Sequence, residues 1–179
     1  LILLPIVATC QTEQKKAYAY LGGGVSFPTN SVGDFLKMGL HGQVRLGIVA
    51  GPQVELIPGI EYHSLNLKES FSTVRGGRLN ILMIGGGLKC FFLANKNDSK
   101  PFVEAGFGVA KTNISDLSVP GFAYVRGTSD IKPYVDVGLG IDLVSSNSAT
   151  ISISGRYVSI MMEGDDVTFW PITVSVKLL

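Results

Sequence analysis

Glu61 and His63 stand two residues apart, a spacing that in an extended strand puts a carboxylate and an imidazole on one face. Such a pair can pass a proton or offer two ligands to a metal ion. Two ligands fall short of a metal site, so no metal is expected, and the pair reads better as part of a hydrogen-bonded polar face. Ser64 follows His63 directly and points to the other face, while His41 is followed by Gly42 and Gln43. A nucleophile and its base must share a face, so these spacings argue against a hydrolase, although a loop serine could still approach. The glycine clusters fail as phosphate loops. Gly138-Leu139-Gly140 lies within an alternating strand, has no third glycine at dinucleotide spacing, and no Gly-Lys-Ser or Gly-Lys-Thr triplet exists. No cofactor is expected.

The remaining charges gain meaning from the strands that carry them. From Pro133 to Leu143 the chain alternates without a break: Val135, Val137, Leu139, Ile141 and Leu143 face one way, and Tyr134, Asp136, Gly138, Gly140 and Asp142 the other. The same phrase runs from Pro101 to Val109, class for class, with Glu104 in place of Asp136. Six further segments of similar length share this period of two. Ala17 to Phe27 opposes Leu21, Val25 and Phe27 to Gly22, Gly24 and Ser26. Phe35 to Val49 opposes Leu36, Met38, Leu40, Val44, Leu46 and Ile48 to Lys37, His41, Gln43 and Arg45. Val54 to Asn66 opposes Val54, Leu56, Ile60 and Tyr62 to Glu55, Glu61 and His63, with Pro58 on the apolar face marking a local bulge. Leu79 to Leu93 is apolar on both faces around Gly85-Gly86-Gly87, and only Lys89 suggests which face is polar. Ala149 to Ser159 opposes Ile151, Ile153 and Tyr157 to Ser152, Ser154 and Arg156. Phe169 to Leu178 opposes Trp170, Ile172, Val174, Val176 and Leu178 to Thr173, Ser175 and Lys177.

These strands predict an all-β fold, an eight-stranded antiparallel up-and-down transmembrane β-barrel over residues 17–179. Each segment is near the roughly 9 to 11 residues that a tilted spanning strand needs. The polar set is mostly glycine, serine and scattered charge, a poor exterior for a soluble barrel but a good filling for a narrow lumen. There Arg45, Lys89, Arg156 and Lys177 can neutralise Glu55, Glu61, Glu104, Asp136 and Asp142, with His63 beside them; buried charges left unpaired cost several kcal/mol each. Connections alternate between the compact Ala50–Gln53, Ala94–Lys100 and Ser145–Ser148 and the longer Pro28–Asp34, Leu67–Arg78, Asn113–Ile131 and Met162–Thr168, as in barrels with one short-turn rim. Trp170, Tyr62, Tyr157 and Phe27 lie near strand ends, where aromatic girdles meet the lipid interface.

Composition agrees. Hydrophobic residues make up 46% of the 179 and charged residues 16%, yet no run of roughly 18 apolar residues offers a spanning helix. A net charge of +1 with no basic run gives no reason to expect nucleic acid. Leu1 to Cys10 reads as the truncated end of a signal peptide and residues 11–16 as a polar N-terminal segment. Thr9 departs from the small residue that lipidation of Cys10 would need, and Cys90 stands alone, so no internal disulfide is expected.

The Leu21-Gly22-Gly23-Gly24-Val25-Ser26-Phe27 strand, the Lys100-Pro101-Phe102-Val103-Glu104-Ala105-Gly106-Phe107-Gly108 strand and the alternating end resemble the small outer-membrane β-barrel domain proteins of Gram-negative bacteria. That resemblance implies an outer-membrane location, with surrounding lipid, the barrel-assembly machinery and a surface ligand at the longer loops as partners. It departs at Leu178-Leu179, where the family typically ends on an aromatic residue. Some relatives of this kind are lipid A deacylases with a His-x-Ser arrangement, which this chain lacks. The expectation is therefore a monomeric, non-enzymatic barrel with a structural or adhesive role, not a wide pore. A narrow channel or carrier for small apolar molecules is the alternative, and a lipid-modifying enzyme the third reading. The loop Leu117 to Thr128, with Val119, Pro120, Phe122 and Tyr124, is apolar enough to fold onto the barrel mouth or bind a partner; Asp165-Asp166 reads as a solvated tip.

Overall fold

The structure, a computed structural model, describes residues 17–68, 75–76, 78–92, 99–114, 117–118, 129–144 and 149–178. The expected signal peptide, the segment 11–16, Leu179, the turn 145–148 and most of the loop 117–128 lie outside the described residues. Among the described residues the strands are β1 (Ala17–Thr29), β2 (Gly39–Gly51), β3 (Val54–Leu56), β4 (Gly59–Asn66), β5 (Arg75–Gly76), β6 (Arg78–Phe91), β7 (Ser99–Ile114), β8 (Leu117–Ser118), β9 (Ser129–Val144), β10 (Ala149–Ile160) and β11 (Val167–Leu178), with one helix, α1 (Asn30–Phe35). β5 and β8 form a separate two-stranded ladder. The other nine strands make one sheet, and the β1–β11 and β1–β2 pairings close it into a ring. Because β3 and β4 are two halves of one stave, the ring has eight staves, each antiparallel to its neighbours.

Closure follows from the sequence period. An alternating strand cannot turn both faces to the same medium, and a barrel separates them while leaving no edge unpaired. Here the apolar set points outward: Leu40 is 69%, Phe107 73%, Val137 58% and Leu139 70% exposed. The glycine and charged set points inward. This inverts the soluble arrangement, and the medium that suits such an outer face is hydrocarbon. β1 has 13 residues, which at about 3.3 Å per residue and a tilt of about 40° rise roughly 33 Å, more than the ~25 Å apolar band of such barrels. Phe27 and Trp170 pair directly, and Tyr157 packs on Trp170 with ring centroids 5.2 Å apart, so three of the expected girdle aromatics sit together outside, near the long-loop rim.

The repeated phrase gains its reason in β7 and β9, which pair antiparallel. Phe102 lies opposite Gly140, Glu104 opposite Gly138, Gly106 opposite Asp136 and Gly108 opposite Tyr134. Each bulky or acidic lumen residue of one copy thus rests over a glycine of the other. A methyl group at Gly140 would run into the Phe102 ring, and one at Gly106 would lie 2.7 Å from Asp136 Oδ2.

Three expectations are corrected. The segment expected as strand from Phe35 begins only at Gly39: Asn30, at φ 59°, opens a helical turn that ends at Phe35, and Asn tolerates that left-handed backbone. The turn breaks the count of two, so Leu36 is buried inside, not lipid-facing, and bridges Leu67. Pro58 makes no bulge. Pairing of β2 with β3 and β4 keeps one register across it, because the Pro58 carbonyl still accepts from Leu46 N at 2.8 Å; the irregularity lies at Val49/Gly51. The stave around Gly85 to Gly87 puts Leu79, Ile81, Met83 and Lys89 inside, so the lumen is not polar throughout. Towards the long-loop rim it holds an apolar plug of Leu65, Ile81, Met83, Val158, Ile160 and Phe169, all wholly buried.

Gly140→Leu should lower stability to urea in lipid vesicles by about 1–3 kcal/mol, the usual cost of overpacking. Gly155→Ala, where an added Cβ meets nothing within 4 Å, should unfold within about 0.5 kcal/mol of the parent, as surface changes do.

Candidate functional site

Two arginines meet at the centre of the lumen from opposite walls. Arg45 leaves β2 across Gly59 and Arg156 leaves β10 across Gly138, and in each case a Cβ on that glycine would collide with the arginine stem. Only a stave without a side chain there lets so long a residue lie flat and reach the axis. Arg45 donates to Glu61 Oε1 from Nε at 3.0 Å and from Nη2 at 2.5 Å, and to Glu104 Oε2 from Nη1 at 2.9 Å. Arg156 donates to Glu61 Oε2 at 2.5 Å, stands 3.5 Å from Glu104 Oε1 and 3.7 Å from Asp136 Oδ1, and reaches Gln43 Oε1 at 3.4 Å. Glu61 is therefore shared by both guanidinium groups. Arg156, 1% exposed, is the largest side chain among the fully buried ones. Charge-assisted forks of this kind are stronger than neutral hydrogen bonds, and in so enclosed a place neither sign could stay without the other.

Below this cluster, towards the short turns, two lysines take the remaining carboxylates. Lys89 donates to Asp142 Oδ1 at 2.8 Å and Lys177 to Glu55 Oε1 at 2.6 Å, with Tyr20 donating to Glu55 Oε2 at 2.6 Å. Lys89 also lies 3.7 Å from the Phe102 ring centroid, and Lys177 4.1 Å from that of Tyr18. The aromatic faces supply attraction where water is scarce.

Above it sits a neutral layer. Ser26 Oγ lies 3.1 Å from His41 Nδ1 and 2.9 Å from His63 Nδ1. A serine has one proton, so it donates to one ring and accepts from the other, and at least one imidazole carries its hydrogen on Nδ1. His41 reaches over Gly24 to Thr173 Oγ1 at 2.9 Å. His63 stacks on His41 with centroids 4.9 Å apart and meets the edge of Phe169 in the plug.

All ten residues marked in the sequence, Arg45, Glu55, Glu61, His63, Lys89, Glu104, Asp136, Asp142, Arg156 and Lys177, face the lumen, and the structure groups eight of them into ion pairs directly. Asp136 is the looser member and His63 the bridge to the neutral layer, at 3.4 Å from Glu61. Sequence reasoning placed Ser26, Gln43 and Thr173 on the polar face without naming them as partners, and did not place Tyr20. The signal for Tyr20 was parity alone, since it stands two places before Gly22.

Ser26, His63 and Glu61 follow one another in the order nucleophile, base, acid, the order of a hydrolytic triad. Ser64 is not the partner, and the serine that approaches comes from β1 instead of a loop. Ser26 and His63 are 0% exposed, however, and Glu61 is committed to both arginines. Ser26 Oγ is closed off from the surroundings of the barrel in this arrangement. Glu61 and His63 lie 3.4 Å apart, and the described residues hold no group of three or more His, Cys, Asp or Glu arranged around them or elsewhere to take a metal ion.

No family model and no curated protein sequence matches the chain. Among solved structures, the neisserial surface protein A is similar over 90% of this chain and 96% of its own, with TM-score 0.64 and 13% identity. The attachment invasion locus protein Ail of Yersinia pestis covers 93% and 100% at TM-score 0.57 and 13% identity, and has also been solved with the heparin analogue sucrose octasulfate. The outer membrane protein OprG of Pseudomonas aeruginosa covers 91% and 94% at TM-score 0.53 and 15% identity. At such identities the likeness establishes the fold: the chain has the architecture of eight-stranded outer-membrane β-barrels.

Arg156→Met should cost about 3–5 kcal/mol in urea unfolding from lipid vesicles, because Glu61 and Glu104 lose a buried counter-charge. Adding Glu61→Gln should recover part of that loss, a coupling that a double-mutant cycle reads directly.

Proposed function

We propose that this chain is a monomeric outer-membrane barrel, closed to flow and without catalytic activity, which works through its long-loop rim in adhesion or another surface interaction. The observation that carries this reading is the double closure of the lumen. The ion cluster fills the centre, and the hollows beside it hold only about 20 Å³ each, about the space of one water. Above it the Phe169 plug excludes water. A narrow channel would need a continuous path through both layers, and an enzyme would need access to Ser26. The filled interior supports neither.

What varies freely in such a molecule is the rim, because loops held by a rigid scaffold carry recognition. Ail, of the same fold, meets sucrose octasulfate, a precedent for ligand recognition by a small barrel of this kind. The outer membrane follows from the apolar belt, which needs lipid around it, and from a barrel whose assembly would fall to the envelope's insertion machinery.

On fractionation the protein should run as an outer-membrane band whose gel mobility shifts on boiling. In planar bilayers it should give no conductance steps. Deleting residues 117–128 should abolish adhesion to host cells while the heat shift is retained. Stepwise conductance in the parent, or adhesion unchanged by the deletion, would count against the reading.

A further inference from the structure

At the long-loop rim, directly above the plug, lies a cavity of about 310 Å³ lined by Leu36, Leu67, Leu79, Ile114, Met162 and Val167. Leu79, Ile114 and Val167 come from the ends of β6, β7 and β11, and Leu36, Leu67 and Met162 from the segments that follow α1, β4 and β10, so the cavity belongs to the barrel mouth itself. Its volume is at the small end of ligand pockets, which run from roughly 300 to 1,000 Å³. Its lining is almost wholly apolar, so it offers an apolar guest shelter from water and gives an ordered water few polar partners. One described residue at its edge carries charge: Arg78, at the start of β6. Arg78 Nε donates to Asn66 Oδ1 at 3.1 Å, which orients the guanidinium plane on the rim.

We propose that this cavity binds a single-chain fatty acid, with the alkyl chain in the apolar hollow and the carboxylate on the Arg78 guanidinium. Three observations select this ligand. The apolar lining excludes sugars and amino acids, whose polar groups would find no partners there. The volume, at about 30 Å³ for each water-sized group, accepts one alkyl chain of about ten carbons. The charge at the rim selects an anion, and a planar guanidinium matches a carboxylate in two parallel hydrogen bonds. The site is independent of the adhesive reading, since it is built from strand ends and not from the loop 117–128.

Radiolabelled decanoate offered to the barrel in phosphatidylcholine nanodiscs provides the test, with protein-free nanodiscs as background. Saturable retention of one decanoate per barrel is expected. Decanol should bind about tenfold more weakly, the loss of one charge-assisted contact. Arg78→Gln should bring decanoate down to the level of decanol. Met162→Trp, on the segment between strands, should fill the cavity and abolish retention while the heat-modifiable band persists, which separates occlusion from misfolding. Retention no greater than background, retention that survives Met162→Trp, or indifference to Arg78→Gln would overturn the proposal. So would decanoate binding that appears only after residues 117–128 are removed, since the chain's own loop would then be the occupant.

Discussion

Everything in this barrel depends on two arginines being neutralised away from bulk water. Arg45 and Arg156 share Glu61 and stand against Glu104, with Asp136 and Gln43 completing the surroundings. Buried ion pairs are often close to neutral in net stability, because desolvation consumes most of the Coulomb attraction. Their effect lies in the alternatives they forbid. Slipping any stave by one residue would send its inner charges into hydrocarbon and its leucines into the lumen, so the cluster and the lipid together hold the register.

Geometry comes from glycine. A barrel of eight staves leaves room inside for side chains and little else, and long cations fit only if their neighbours are small. Arg45 over Gly59, Arg156 over Gly138 and Phe102 over Gly140 are three cases of one rule. The doubled phrase in β7 and β9 applies the rule to itself, since antiparallel pairing sets the large end of one copy on the small end of the other. A pattern that looks like duplicated sequence is thereby a packing device.

The lumen changes character along its axis. Lysines and carboxylates among aromatic rings lie near the short turns, arginines at the centre, histidines with Ser26 above, and aliphatic residues at the long-loop end. The gradient makes the two mouths unlike each other. The short-turn mouth is charged, whereas the other is greasy and bears the apolar cavity.

Strand parity was determined by the sequence alone, because a period of two is a local property that any extended chain expresses. Parity placed Val137 outside and Asp136 inside, and it identified the ten lumen groups, from Arg45 to Lys177, before any partner was known. It failed where the chain was not extended: the turn from Asn30 to Phe35 reset the count and carried Leu36 indoors. It was silent where both faces were apolar, as between Leu79 and Leu93. Tertiary structure alone decided which cation meets which carboxylate, that Ser26 lies against His63, and that aliphatic residues seal one end. Those outcomes depend on stagger and closure around the ring, which bring together residues as far apart as Glu61 and Arg156, and no local period encodes the stagger.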